Sequence, residues 1–148
     1  MTDRAPFVTT EYVRWEDIDL AGIARYGCFT RFLDVGETDF YRSLGRPLSG
    51  FHEQYKLWFP RKVMHIDYHS PARLDDRLSI AVYYSHVGRT SATMNFDMLR
   101  DDRKTMVASA HLVMVCVTAA MEKVAIPLEL KKLMEPFVMS SEVARAAL

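Results

Sequence analysis

Residues 14–45, from Arg14 to Gly45, read RWEDIDLAGIARYGCFTRFLDVGETDFYRSLG, and this stretch decides the fold. Two carboxylates one residue apart, Asp17 and Asp19, lead into an Ala21-Gly22 turn. Beyond the turn, Phe29, Phe32, Leu33, Gly36, Phe40 and Leu44 recur at three- and four-residue steps, the spacing of one face of an α-helix. Arg31, Asp34, Thr38, Asp39 and Arg42 fall on the other side. Gly45 ends the helix, because a glycine just past the last periodic residue takes the left-handed cap conformation. The start is bare. No Ser, Thr, Asp or Asn occupies the capping position near Tyr26 and Gly27, so the first backbone N–H groups lack a side-chain acceptor. Water satisfies them, or the carbonyl of a bound molecule does, with a carboxylate waiting a few residues upstream.

Working outward, Phe7 to Trp15 alternates β-formers with polar residues and reads as a first strand. Arg46 to Pro60 carries Pro47, Gly50 and Pro60 and is a connector, with one short helix around Ser49 to Tyr55. Its Phe51, Tyr55, Leu57, Trp58 and Phe59 need burial against the core, a partner chain or a ligand. From Lys62 the period switches to two: Met64, Ile66 and Tyr68 face one way, Val63, His65, Asp67 and His69 the other. Strands follow over Leu78 to Val87, Thr90 to Arg100 and Thr105 to Ala119, separated by Gly88-Arg89 and Asp101-Asp102-Arg103 turns. Successive strands with short turns predict an antiparallel meander, with the early helix covering one face. The layout is α+β, one long helix on a curved sheet. Pro127 opens a short helix through Leu128, Leu130, Leu133 and Met134, and Ser141 to Leu148 extends it or frays.

A chain of 148 residues fits one domain, residues 1–148, with an adequate core. Formal net charge is zero, which argues against coating nucleic acid or an anionic membrane, so a polyanionic ligand needs a local basic patch. The N-terminus lacks the apolar run of a signal peptide, and the most apolar stretch, Val107 to Ala120, is too short to span a bilayer. Cys28 and Cys116 lie far apart without metal-ligand spacing, the pattern of free thiols in a reducing cytoplasm.

The motif Asp17-x-Asp19-x-Ala21-Gly22-Ile23, with Tyr26 and then a helix carrying Phe32-Leu33-Asp34, resembles the hotdog-fold acyl-CoA thioesterases of the 4-hydroxybenzoyl-CoA thioesterase type. The run Ile66 to Asp76 resembles the same family's Tyr-x-x-Pro-Ala-x-x-x-Asp segment, and the likeness extends to about Ala119. The resemblance implies a hotdog fold, a curved antiparallel sheet wrapped around a central helix. It implies hydrolysis of an acyl-CoA without metal or cofactor, in a homodimer or homotetramer with sites formed between subunits.

Thioester hydrolysis needs a base or carboxylate nucleophile, and donors for the oxyanion that develops on the carbonyl. Carried over from the family, Asp19 is the carboxylate, and the backbone at Tyr26, with Gly27 beside it at the bare helix start, polarises the carbonyl. The plain alternative is that Asp17 and Asp19 are turn residues bonding local backbone, and for Asp17 that reading stands. Many relatives carry His and Asn where this chain has Gly27 and Cys28, so a second polar side chain beside the aspartate is not expected. Cys28 lacks a local His partner, and Glu37, on the helix, is expected to be solvated or ion-paired. Arg89 and Arg61 are candidates for coenzyme A phosphates, with Lys62, Arg73 and Lys123 as further cations, against the reading of scattered solvated charge. Phe29 and Trp58 are candidates for the acyl pocket. His65, Asp67 and His69 share a strand face, which reads as a polar surface rather than a metal triad. Two rivals stand beside the acyl-CoA reading: a thioesterase for carrier-borne acyl groups, and a binding protein without turnover.

Overall fold

The structure, a computed structural model, describes residues 3–148. Its strands are β1 (Phe7–Tyr12), β2 (Arg61–Tyr68), β3 (Arg77–Val87), β4 (Ser91–Arg100) and β5 (Met106–Val115). Its α-helices are α1 (Phe29–Ser43), α2 (Leu48–Tyr55), α3 (Leu128–Met134) and α4 (Ser141–Ala146). The strands form one antiparallel sheet in the order β1-β3-β4-β5-β2.

Helix α1 lies across this sheet as the 14–45 periodicity requires. Phe29, Phe32, Leu33, Gly36 and Phe40 are buried. Gly36 is where helix and sheet come closest: a Cβ there would meet Ile80 Cγ2 at 2.9 Å and Val82 Cγ2 at 3.1 Å. Gly45 closes the helix at φ +72°, its N–H donating to Arg42 O (3.0 Å) while the Arg46 N–H donates to Tyr41 O (2.9 Å). Those two bonds are a Schellman cap. Phe40 meets Phe7, Tyr41, Tyr84 and Phe137 edge to face, with ring centroids 5.0–5.8 Å apart. Of the aromatic connector, Phe51 is buried against this core and packs on Tyr41, Tyr55 and Phe59, whereas Trp58 stays exposed. The result is the expected hotdog arrangement.

Three expectations need correction. The meander holds from β3 to β5 only. β2 pairs instead with β5, Ile66 opposite Ala110, at the opposite edge from β1. The link from β2 to β3 therefore crosses three strand spacings, about 14 Å, rather than making a hairpin. It does so past the start of α1, where Ala72 O accepts the Ala24 N–H (2.7 Å). Period-two patterning orients a strand's faces but carries no information about its neighbour, and a short link with one proline, Pro71, looks alike in either role.

Second, β1 stops at Tyr12, because Val13 turns into the core and exchanges backbone bonds with Asp75 and Asp76. Third, the stretch from Ser141 neither frays nor extends the helix opened by Pro127, but forms a helix of its own on the outer face of the sheet. α4 lays Ala144 near Tyr83 and Met139 in a second buried cluster, and Arg145 pairs with the buried Asp97. The C-terminal stretch is thus a docked helix, capped by Ser140 Oγ, which accepts the Val143 N–H (3.2 Å). Strand β2, by contrast, is exposed on both faces apart from the half-buried Ile66. Among the described residues, no helix is long and apolar enough to cross a membrane.

Candidate active site

The two motif aspartates part company at once. Asp17 closes a 3-10 turn, Trp15–Asp17, and is buried. Its carboxylate accepts the Arg14 N–H (2.7 Å) and two bonds from the Arg31 guanidinium, one from Nε at 3.1 Å and one from Nη2. Burial pushes this carboxyl up, but the Arg31 and Arg14 bonds and charges outweigh it and hold the group below its ordinary range. Since Arg31 rides on α1, Asp17 locks the motif loop to the helix. That is a structural role, as expected for this residue.

Asp19 is exposed. Its N–H donates to Ile23 O (2.9 Å), its carbonyl accepts the Gly22 N–H (3.0 Å), and its Oδ1 accepts the Ala21 N–H (2.8 Å). Gly22 sits at φ +77°, a conformation that glycine adopts without strain. The carboxylate is therefore a turn-former through one oxygen, while Oδ2 has no hydrogen-bond partner among the described residues. The turn bond uses one carboxylate oxygen and leaves the other open.

Tyr26–Cys28 forms a 3-10 turn that runs straight into α1 with no side-chain cap. The N–H groups of Tyr26 and Gly27 meet no acceptor among the described residues. Asp19, Tyr26 and Phe29 line one open cavity of about 520 Å³, together with Tyr68, Ser70 and Ala72. A free carboxylate in that cavity and unpartnered N–H groups at the Tyr26-Gly27 turn are the parts that acyl transfer requires, a base and donors for an oxyanion. The helix dipole adds to the donors.

Tyr68 was quoted in the Tyr-x-x-Pro-Ala segment but given no role by sequence. Its hydroxyl donates to Tyr26 O (3.0 Å), and its ring packs edge-on against Phe29 with centroids 5.2 Å apart. Tyr68 thus positions the Tyr26–Gly27 peptide, whose own N–H, that of Gly27, is free among the described residues. The crossing link explains how it arrives there: β2 ends at this tyrosine, and Pro71-Ala72 continues as a wall of the cavity.

Within one chain the remaining candidates lie elsewhere. Arg61 and Trp58 line a different cavity, beside Glu37. Arg89 is exposed in the β3–β4 turn, at the same end of the sheet, where Cys116 N–H bonds Thr90 O (2.7 Å) and Trp58 bridges to Val117. Glu37 is ion-paired with Arg61 but buried rather than solvated. Burial raises its carboxyl above the ordinary range, with Arg61 opposing and Asp34 adding to the rise.

His65 pairs with Asp67 (3.0 Å) and stacks on His111, while His69 bonds Ser109 Oγ (2.8 Å). Among the described residues, no three His, Cys, Asp or Glu side chains are grouped to hold a metal ion. Cys28 is buried, and desolvation, with the Asp17 charge behind it, pushes its thiol up to about 11. It is no nucleophile near neutral pH.

Comparison with known proteins bears on the family and the fold. Acyl-CoA thioesterase YbgC of Haemophilus influenzae is 30% identical over 120 residues, covering 80% of this chain and 87% of that protein. A 1,4-dihydroxy-2-naphthoyl-CoA thioesterase from Synechocystis shares the fold at TM-score 0.80 and 18% identity, over 86% of this chain and 94% of its own. A 4-hydroxybenzoyl-CoA thioesterase mutant, complexed with 4-hydroxybenzoyl-CoA, does so at TM-score 0.77 and 18% identity, over 86% and 97%. The family model of the thioesterase-like superfamily matches residues 13–140, which takes in the aspartate loop, α1 and every strand after β1. The chain belongs to that superfamily, as a thioester hydrolase of hotdog fold.

Proposed function

We propose that this hydrolase cleaves acyl-CoA thioesters to the free acid and CoA, with Asp19 as the working carboxylate. The observation that carries the reading is the unpartnered Asp19 Oδ2 in a cavity that Tyr26 also lines, at the turn where the Tyr26 and Gly27 N–H groups are free among the described residues. A thioester carbonyl placed against those N–H groups is polarised as its oxygen gains charge. Asp19 then acts in one of two balanced ways. It takes a proton from water whose oxygen attacks the carbonyl carbon, or it attacks directly to give a mixed anhydride that water opens. In both, the C–S bond breaks and the departing thiolate is protonated. No metal or cofactor enters the scheme. A reducing cytoplasm suits a protein with two buried free thiols, Cys28 and Cys116.

The site is proposed to form between subunits of a homodimer or homotetramer. Strand β2 is an edge with both faces exposed, and such an edge presents unpaired N–H and C=O groups. Antiparallel pairing of β2 with its own copy sets the Arg61 end against the partner subunit's Tyr68. Arg61, Trp58 and Arg89, remote from Asp19 in their own chain, then approach the neighbouring chain's cavity. There the two arginines are placed to meet CoA phosphates, and Phe29 and Trp58 the acyl group.

The test is thiol release from benzoyl-, 4-hydroxybenzoyl-, phenylacetyl- and short to long aliphatic CoA thioesters, by wild type and Asp19→Asn. Turnover of at least one thioester is expected, with a loss of about a hundredfold or more in the variant. No turnover of any CoA thioester overturns the reading in favour of a carrier-borne substrate or of binding without hydrolysis. Activity untouched by Asp19→Asn moves the working carboxylate to Glu37.

A further inference from the structure

The two unpartnered N–H groups before α1 belong to successive peptides, and each peptide is held at its oxygen. The first, Arg25–Tyr26, is held locally: Arg25 O accepts the Cys28 N–H (3.1 Å), which closes the 3-10 turn. The second, Tyr26–Gly27, is held from across the fold, by the Tyr68 hydroxyl on Tyr26 O (3.0 Å). A carbonyl has two lone pairs, so this bond adds to whatever the helix start itself supplies.

A peptide passes on what happens at its oxygen, because C=O and N–H share one conjugated amide. A donor on the oxygen draws charge from the nitrogen and makes the N–H a stronger donor. Chains of hydrogen bonds strengthen in this way by about 10–30% per bond. The group this reaches is the Gly27 N–H, free among the described residues. In hydrolysis the gain rises as the thioester oxygen takes on charge, so it falls on the transition state more than on the bound substrate.

Tyr68 is itself fixed. It is the last residue of β2, opposite Ala108 of β5, and its ring meets Phe29 edge-on at 5.2 Å. The next two residues are tied to β5, where Val107 O accepts the His69 and Ser70 N–H groups (2.8 and 3.2 Å). Backbone and ring contacts therefore aim the side chain, and the hydroxyl makes the bond. The residue is 51% exposed, which limits the bond's worth, since water replaces part of a lost donor.

We propose that Tyr68 is a positioning residue for thioester hydrolysis: its hydroxyl holds and polarises the Tyr26–Gly27 peptide, so that the Gly27 N–H serves as an oxyanion donor. This role rests on the reading of the Asp19 cavity as the place of hydrolysis, and it gives the end of β2 a part in the reaction.

Tyr68→Phe tests the role, because it removes one oxygen and keeps the ring against Phe29. The first stage needs no substrate. In protein labelled with nitrogen-15 and carbon-13, the Tyr26 carbonyl carbon and the Gly27 amide nitrogen should both move upfield in the variant. The Tyr26 amide nitrogen, on the peptide that the turn holds, should move less. The second stage uses whichever thioester wild type hydrolyses fastest, CoA-borne or carrier-borne. Tyr68→Phe should lower kcat about three- to tenfold and leave KM within about twofold, the mark of an interaction made in the transition state. Tyr68→Leu, which removes the ring as well, should lose at least as much. Resonances that stay in place overturn the proposal, since the bond is then not made in solution. A kcat untouched by Tyr68→Phe overturns it too, and if Tyr68→Leu alone loses activity the residue acts only by packing. A change confined to KM makes Tyr68 a substrate contact and overturns the positioning role. Failure of the acyl-CoA reading is distinguishable, because it shows as no turnover of CoA thioesters by wild type, whereas the resonances are read without substrate.

Discussion

At the start of α1 a carboxylate stands in solvent, one oxygen tied into its own turn and the other free, beside N–H groups that also lack partners. Further along the same helix a second carboxylate is buried, held by an arginine and roofed by aromatic rings. Asp19 is exposed, and nothing among the described residues depends on its Oδ2. Glu37 cannot lose its charge partner without exposing the fold to an unpaired ion. A helix start built of free donors suits chemistry, whereas a buried and paired carboxylate suits the fold.

The sharpest way to break this contrast is to neutralise each carboxylate in turn. Asp19→Asn should lower thiol release by about a hundredfold or more with unfolding unchanged, since no buried partner depends on it. An equal loss from Glu37→Gln would erase the distinction, because it would make the buried carboxylate the working one. Next in size is Asp17→Ala. It strips Arg31 of two hydrogen bonds and the Arg14 N–H of its acceptor, inside a buried pair. Arg31 keeps some contact with water, so the cost is placed at the low end for broken buried pairs, about 3 kcal/mol in denaturant unfolding. A change below about 0.5 kcal/mol would mean that the loop is not locked to α1 through this aspartate.

Acidity sharpens the comparison, because the two buried carboxylates are shifted in opposite directions. Asp17 lies below its ordinary range, so its stabilisation is present above about pH 4 and is lost as pH falls through the folded value. Glu37 lies above its ordinary range, so its contribution is full below about pH 4 and is lost as pH rises through the folded value. Unfolding measured from pH 3 to 8 should show the gap between wild type and Asp17→Asn widening with pH. The gap between wild type and Glu37→Gln should instead move against wild type. Gaps of the same sign for both would refute the assignment.

Much of this was legible in the sequence, for reasons that also mark its limit. The α1 stripe and the Gly45 cap are local, and the helix appears where periodicity puts it. The bare helix start is local too, since an absent cap is as readable as a present one. Strand existence from β2 to β5 followed from alternation, but the place of β2 did not, because strand order is decided by long-range burial. From that single unknown follow the unforeseen parts of the site. Tyr68 reaches Tyr26, and Pro71-Ala72 walls the cavity, only because the β2–β3 link crosses the start of α1. Glu37 was the reverse case. Its charge suggested solvent or an ion pair; the pair with Arg61 is there, and only the packing of α2, Trp58 and Arg61 over it shows that the carboxylate is buried. The α4–Asp97 contact was hidden for the same reason, a surface-looking charge paired across long sequence separation.

The smallest effect belongs to Cys28, and a null result there is informative. A thiol at a helix start is often lowered in pKa by the dipole and becomes reactive. Here the side chain points into the core, and desolvation together with the Asp17 charge overrides Arg25 and Arg31 to push it up to about 11. At pH 8 that leaves about one thiol in a thousand ionised. Iodoacetamide at that pH should therefore leave thioester turnover unchanged over the time in which it fully modifies the denatured chain. Rapid inactivation tracking alkylation of Cys28 would instead show that the start of α1 opens to solvent. In that case its N–H groups could not be held in place for a carbonyl, and the contrast with the buried Glu37 would rest on a turn too mobile to support it.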